Sequence, residues 1–300
     1  MSAFLLLFGC LVLGALVAHC GKPPANMARG LNWWVLNIAL PALVLQMIPQ
    51  LEFDPELWYA VAVLWLTFIG AWLVFGTLGP LLGWSRARTG CVILVTALGN
   101  TTFTGYPLIL ALRGKEALGV AVVSDQLGSF VLLVSLAVVV ASLYAGRTPQ
   151  PGLIIRRVFT FPAFVALLLA IGVNVAGGWP PLVSDALAPV GATLTPVALF
   201  SVGLDFRFRR ESLRLLNVAS LAWGWKLVAA PALAWLLALA TGVSGQIMHV
   251  GVLQAGMAPM VSAAIMAQEY ELDGALANTI LTIGIVLSLI TVPLLNVLLG

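Results

Sequence analysis

The chain has 300 residues, of which 61% are hydrophobic and 8% charged, with a mean hydropathy of +1.08 and a formal net charge of +3. A soluble globular domain carries about 25% charged residues, so this composition excludes one and leaves an integral membrane protein. A helix crossing the hydrocarbon core needs about 20 apolar residues, so the length accommodates about ten spans with short loops and no separate soluble domain.

The apolar runs lie at about 3–20, 31–50, 57–80, 90–113, 117–144, 157–177, 182–204, 214–240, 246–269 and 274–298. The first lacks a basic n-region and a small-residue cleavage site, so it reads as a helix and not as a signal peptide. The stretches 21–30, 146–152 and 178–181 are Gly/Pro-rich turns. Cys10, Cys20 and Cys91 fall within or at the ends of spans without metal-ligand spacing, and read as small apolar side chains. His19 and His249 each lack a second ligand at metal spacing, so no metal site and no cofactor is expected. Trp33, Trp34, Trp58, Trp84 and Trp179 cluster near span ends, as interfacial aromatic residues do. Glu52, Asp54 and Glu56 form one acidic loop; Glu269, Glu271 and Asp273 form another.

Loops taken alternately put Lys22, Arg29, Arg86, Arg88, Arg147, Arg156, Arg157, Arg207, Arg209, Arg210 and Arg214 on one side, against Arg113 and Lys115 on the other. The positive-inside rule makes the first side cytoplasmic, with both ends of the chain on the outer side of the cell (inner) membrane. These basic loops account for the net charge, so no nucleic-acid partner is needed.

Two spans are interrupted midway. The run 90–113 is broken by Gly99-Asn100-Thr101-Thr102-Phe103-Thr104-Gly105-Tyr106-Pro107, and the run 246–269 by Gln254-Ala255-Gly256-Met257-Ala258-Pro259. In lipid, non-helical backbone must be satisfied by protein, water or ligand, so paired broken helices point to a solute or ion site near the bilayer midplane. The interruptions are about 155 residues apart, and Pro41 in span 2 and Pro196 in span 7 share that offset. The chain therefore reads as two five-helix repeats, 1–145 and 153–300. An odd number of spans per repeat makes the second copy inverted.

Two charges lie deep inside spans. Asp125 is roughly 12 Å into span 5 and Lys226 roughly 18 Å into span 8, at 1.5 Å per residue. A charge near the midplane costs about 2.5–3.5 kcal/mol on insertion scales and usually faces a cavity or a partner. Ser124, Gln126 and Ser129 surround Asp125 in sequence with further oxygen atoms, which suits a proton or Na⁺ as coupling ion. Lys226 could neutralise Asp125, attract an anionic substrate, or snorkel to the interface. Asn278 and Thr279 in span 10 either complete an ion shell or pack that span against the second interruption.

The segments Leu98-Gly99-Asn100-Thr101, Gly105-Tyr106-Pro107, Ser124-Asp125-Gln126-Leu127-Gly128 and Thr195-Pro196-Val197-Ala198-Leu199-Phe200, with the break at Pro259, resemble the auxin efflux carrier family. The likeness is to its bacterial branch, which includes carriers of malonate-like acids, and it covers essentially the whole chain. It implies an all-α ten-helix inverted-repeat fold of the bile-acid/arsenite/riboflavin transporter superfamily, with spans 4 and 9 crossing. Spans 1, 2, 6 and 7 would form a scaffold, spans 3–5 and 8–10 a transport core, and spans 2 and 7 a homodimer interface. Asn100 would contact substrate and the 254–259 segment would form the second crossing. In related proton carriers an acid of helix 5 pairs with a lysine of helix 8, matching Asp125 and Lys226 in type and position. Plant members carry an acid and a lysine in helix 3, whereas 57–80 has no charge, which weakens the case for auxin itself.

The expectation is a secondary transporter of small organic anions, not an enzyme, working by elevator-type movement and linked to protons. Asn100, Thr101, Thr102, Tyr106, Pro107, Gln254, Gly256 and Pro259 would bind substrate; Asp125, Lys226, Gln126, Ser129, Asn278 and Thr279 would handle the coupling ion. The rivals are a sodium-coupled symporter of bile-acid type and a membrane sensor without transport.

Overall fold

The computed structural model describes residues 2–21, 23–24, 26–51, 54–148, 151–204 and 215–300. Of the residues weighed above, Lys22, Glu52, Arg207, Arg209, Arg210 and Arg214 lie outside the described ones. Among the described residues all regular structure is helical, apart from one isolated β-bridge.

The helices follow the apolar runs. They are α1 (Ser2–Cys20), α2 (Met27–Gln50), α3 (Leu57–Leu81), α4 (Arg86–Ala97), α5 (101–113) and α6 (115–144), then α7 (Pro151–Thr160), α8 (Pro162–Val175) and α9 (Pro181–Leu204), and finally α10 (Leu216–Thr241), α11 (Gly245–Ala255), α12 (Val261–Glu269) and α13 (Gly274–Leu299). Gly114, at φ 82°, makes the turn between α5 and α6. Phe161, extended before Pro162, separates α7 from α8 because a residue preceding proline is pushed out of helical geometry. Among the described residues six helical segments are long and apolar enough to cross a membrane, and Leu5–Cys20 and Pro162–Val175 are shorter apolar helices. Exposed Leu73, Leu81, Leu182 and Leu298 give the outer surface the apolar character that lipid contact requires.

Proline shapes the helix interiors in a regular way. Wide π-turns occupy Val35–Ala39, Thr101–Gly105 and Trp225–Ala229, each starting six residues before a proline (Pro41, Pro107, Pro231). A proline has no N–H to give, and its ring collides with the carbonyl four residues back, so the preceding turn opens. A fourth π-turn, Asp125–Phe130, has no following proline.

The helices pack in two groups. α1 lies along the C-terminal part of α9, and α2 packs on α8 and α9. Asn174 of α8 donates to the carbonyls of Ile48, Pro49 and Leu51, and Trp34 of α2 donates to Thr193 of α9. In the other group α3 packs on α4 and α11, α11 on α10, and α12 on α4 and α13. Buried Tyr59 joins three of these helices: its hydroxyl donates to Ala234 O at 2.8 Å and its ring lies against Gly251. Tyr59→Phe is expected to cost about 1 kcal/mol, one net buried hydrogen bond, read as a lower Tm of the detergent-solubilised protein.

Candidate functional site

The two broken segments meet. After α4, Leu98 is extended and the chain re-enters a helix at Thr101; after α11, residues 256–260 intervene before Val261. Gly99 and Pro259 form an antiparallel bridge, flanked by Asn100 N–H to Ala258 O at 2.7 Å and Met260 N–H to Leu98 O at 3.1 Å. Backbone groups released by one break are thus satisfied by the other, as a low-dielectric surrounding demands. Both breaks differ from the sequence reading. Thr101 to Pro107 are already helical, because the proline widens the turn without ending it, and Gln254 and Ala255 are still in α11.

A cavity of about 80 Å³ opens beside this crossing. Asn100, Thr102 and Phe103 from the first turn of α5 and Met260, Val261 and Ser262 from the start of α12 line one side; Asp125 and Gln126 of α6 line the floor. Leu36 and Leu40 of α2 and Phe161 face them from the other helix group, with Phe161 stacked on Phe130 at 4.1 Å between ring centroids. Two helix N-termini therefore end at one cavity, and their dipoles favour negative charge there.

The polar atoms of this cavity are oriented by their neighbours. Asn100 caps α5: its Oδ1 accepts from Phe103 N–H at 3.1 Å, which turns its Nδ2 away as a donor. Asp125, 2% exposed, accepts from Thr101, from Thr102 on both carboxylate oxygens at 3.0 Å, from Tyr106 at 2.8 Å and from Gln126 Nε2 at 2.9 Å. Gln126 is thereby left with its Oε1 free. Asn100 Nδ2 and Gln126 Oε1 are both buried with no hydrogen-bond partner among the described residues. Such groups cost about 1–3 kcal/mol each when left unmet, and both belong to residues that line the cavity.

Lys226 is elsewhere. It is fully buried, but its Nζ has no hydrogen-bond partner among the described residues and makes no ion pair with Asp125. Instead it lies against Gly99, where an added Cβ would be 3.0 Å from Nζ and 3.3 Å from Gln254 O. The ammonium thus stands at the C-terminal ends of α4 and α11, where the dipoles are negative. The pairing of Asp125 with Lys226 is not observed: Asp125 is enclosed by Thr101, Thr102, Tyr106 and Gln126, whereas Lys226 is packed against Gly99 at the helix crossing.

The remaining candidates divide. Thr101, Thr102 and Tyr106 hold Asp125, while Tyr106 and Pro107 also line a second cavity of about 330 Å³ toward Leu43 and Thr195. Gln254 packs on Gly105, where a Cβ would be 2.8 Å from its Oε1, and it does not line the crossing cavity. Gly256 borders Leu295 and Pro231, and Pro259 presses on Gly284 as part of the bridge. Ser129 is buried but is not among Asp125's partners. Asn278 accepts from Gln268 at 2.9 Å and so links α13 to α12; the Thr279 hydroxyl donates to Ala275 O. Leu36, Leu40 and Phe161 carry no signal in the sequence, being ordinary apolar residues, whereas Ser262 has one, a hydroxyl three residues after Pro259.

The whole chain is similar to known transport proteins. A family model described as "Membrane transport protein" matches residues 1–296. An uncharacterized transporter of Methanothermobacter thermautotrophicus is 27% identical over 298 residues, covering 96% of this chain and 94% of the relative. An uncharacterized transporter of Methanocaldococcus jannaschii is 25% identical over 282 residues, covering 89% and 88%. A multi-pass membrane protein with two broken helices bonded at one buried polar cavity is thus joined by its full length to transporters, and the chain belongs to the membrane transport protein family, which is that of the auxin efflux carriers.

Proposed function

We propose that this protein is a secondary carrier of small organic anions, mono- or dicarboxylates of malonate-like or auxin-like kind, linked to protons. The observation that carries this reading is the cavity at the crossing, where an unpartnered donor and acceptor stand beside the buried Asp125 and two helix N-termini. An anion entering next to an ionised carboxylate meets like-charge repulsion in a low-dielectric site. Anion and proton therefore enter together, one neutralising Asp125 as the other takes up the cavity. Thr101, Thr102 and Tyr106 all direct O–H groups at that carboxylate, and Na⁺ would have to turn each of them around; this favours the proton over sodium.

The proposal extends to architecture. Ten spans in two inverted repeats, with spans 4 and 9 as α4–α5 and α11–α12, agree with the bonded breaks. The contact groups support a scaffold of α1, α2, α7, α8 and α9 and a transport core of the rest, with the cavity at their boundary. Core moving against scaffold would carry the site across the membrane in elevator fashion. A homodimer through α2 and α9, and both chain ends on the outer side of the cell membrane, complete the reading.

Counterflow of labelled malonate into proteoliposomes tests it. Exchange that responds to pH and is indifferent to Na⁺ is the expected result. Dependence on Na⁺ at fixed pH would favour the sodium-coupled symporter, and binding without exchange would favour a sensor. Asn100→Ala removes the fixed donor and is expected to weaken malonate binding by about tenfold, the weight of one hydrogen bond to a charged group; unchanged affinity by calorimetry would make that crossing purely structural.

A further inference from the structure

We infer that the Gln126 side-chain amide is the relay that reports the protonation state of Asp125 to the substrate cavity. This rests on the carrier reading above and adds how proton and anion are coupled. The argument starts from what each atom is able to do. An ionised carboxylate only accepts hydrogen bonds, and an amide has one accepting end and one donating end. With Asp125 ionised, Gln126 must turn its NH₂ to Asp125 Oδ2, at 2.9 Å, and its Oε1 is left buried without a hydrogen-bond partner, on a residue that lines the cavity. In that state the cavity shows a carbonyl oxygen beside a carboxylate, and both repel an anion.

Binding one proton from solvent at Asp125 Oδ2 reverses the contact. The new O–H needs an acceptor, and the groups around it are the hydroxyls of Thr101, Thr102 and Tyr106 and the amide of Gln126. Among these the amide carbonyl is the strongest acceptor, and its oxygen is the atom engaged in no hydrogen bond of either kind, whereas each hydroxyl oxygen already carries a donated bond to Asp125. Rotating the amide end over end lets Gln126 Oε1 accept from Asp125 and turns the NH₂ into the cavity. There it joins Asn100 Nδ2, whose direction is fixed by the bond from Phe103 N–H. Two amide donors and two helix N-termini then surround the space that a carboxylate would fill. The proton is not passed to the substrate; it stays on Asp125, and the amide converts its arrival into donors.

Among the described residues no other charged group is found to take over this part. Among the elements packed on the Asp125 turn, α5 brings Tyr106, already bonded to Asp125. α3 brings Tyr59, whose hydroxyl is committed to Ala234 O. α8 has no titratable side chain, and Lys226 is at Gly99 without an ion pair to Asp125.

Infrared difference spectroscopy of the reconstituted protein, with glutamine labelled by ¹³C at the side-chain carbonyl, tests the relay without any ligand. Acidification is expected to raise a carboxylic-acid band and shift a labelled amide band at the same midpoint. Asp125→Asn should lose both; Gln126→Leu should keep the first and lose the second. A carboxylic-acid band without a glutamine shift, a glutamine shift that survives Asp125→Asn, or no carboxylic-acid band in the wild type would each overturn the relay. Calorimetry with malonate gives a second readout: the gain in affinity on acidification should shrink by about tenfold in Gln126→Leu, one charge-assisted hydrogen bond. If malonate binds at no pH, the substrate class fails, and the infrared result still decides the relay.

Discussion

Asp125→Asn is expected to leave a folded protein that exchanges substrate but no longer accumulates it along a pH gradient. The substitution keeps the shape of a side chain that is almost wholly enclosed, so no cavity opens. What changes is hydrogen bonding. The carboxylate accepts from four side chains, and an amide in its place has one oxygen and one NH₂ group. Thr101 and Thr102 can keep donating to the oxygen. Tyr106 and Gln126 meet the new NH₂ and must turn to accept from it, which a hydroxyl does by rotating and Gln126 does by turning its amide over. The stability cost should stay within about 1–3 kcal/mol, that of one mismatched buried polar contact. The variant holds the cavity permanently in the arrangement that a proton would otherwise produce, so malonate affinity should become independent of pH. Counterflow in proteoliposomes with and without an imposed pH gradient reads both effects. Gradient-driven accumulation at the wild-type level in the variant would remove Asp125 from coupling altogether.

The outline of this site could be read from residue types, and its facing could not. Glycine, asparagine and proline inside apolar runs identify Gly99-Asn100 and Ala258-Pro259 as places where a helix must yield, and these pairs form the bridge. A carboxylate at mid-span is conspicuous for its desolvation cost, and Asp125 is at the cavity. What periodicity misses is the effect of the π-turns. Each adds a residue to one turn, so a wheel drawn at 3.6 residues per turn points side chains in the wrong direction beyond it. Lys226 matches Asp125 as a partner by type and depth, yet it lies against Gly99. Gln254 reads as part of the second break in the sequence, yet α11 continues through it. The scaffold side of the cavity is apolar, and Leu36 and Leu40 differ in no visible way from the many leucines that only face lipid or core.

Gly203→Val is expected to do the greatest damage to the fold. α1 and α9 approach so closely that their backbones touch at two glycines. A Cβ built at Gly203 would be 2.2 Å from Leu11 O and 3.0 Å from Gly14 Cα; one built at Gly14 would be 2.2 Å from Phe200 O. In lipid, helices gain little from a hydrophobic effect between them, and close backbone packing over small residues is a main source of their association. The obstructing atoms are main-chain carbonyls within helices, so no side-chain rotation relieves the overlap, and α1 must move away along the length of its contact with α9. Overpacking of a rigid contact costs about 3 kcal/mol or more at its upper range, and a β-branched side chain gives it no escape. Gly9→Val on the same helix has nothing within 4 Å of its Cβ, so it tests apolarity and helix propensity without the collision. Size-exclusion profiles after detergent extraction should show loss of the monodisperse peak for Gly203→Val and its retention for Gly9→Val. Equal behaviour of the two would mean that α1 is held by its other contacts, and that the glycine seam is not what fixes α1 to α9.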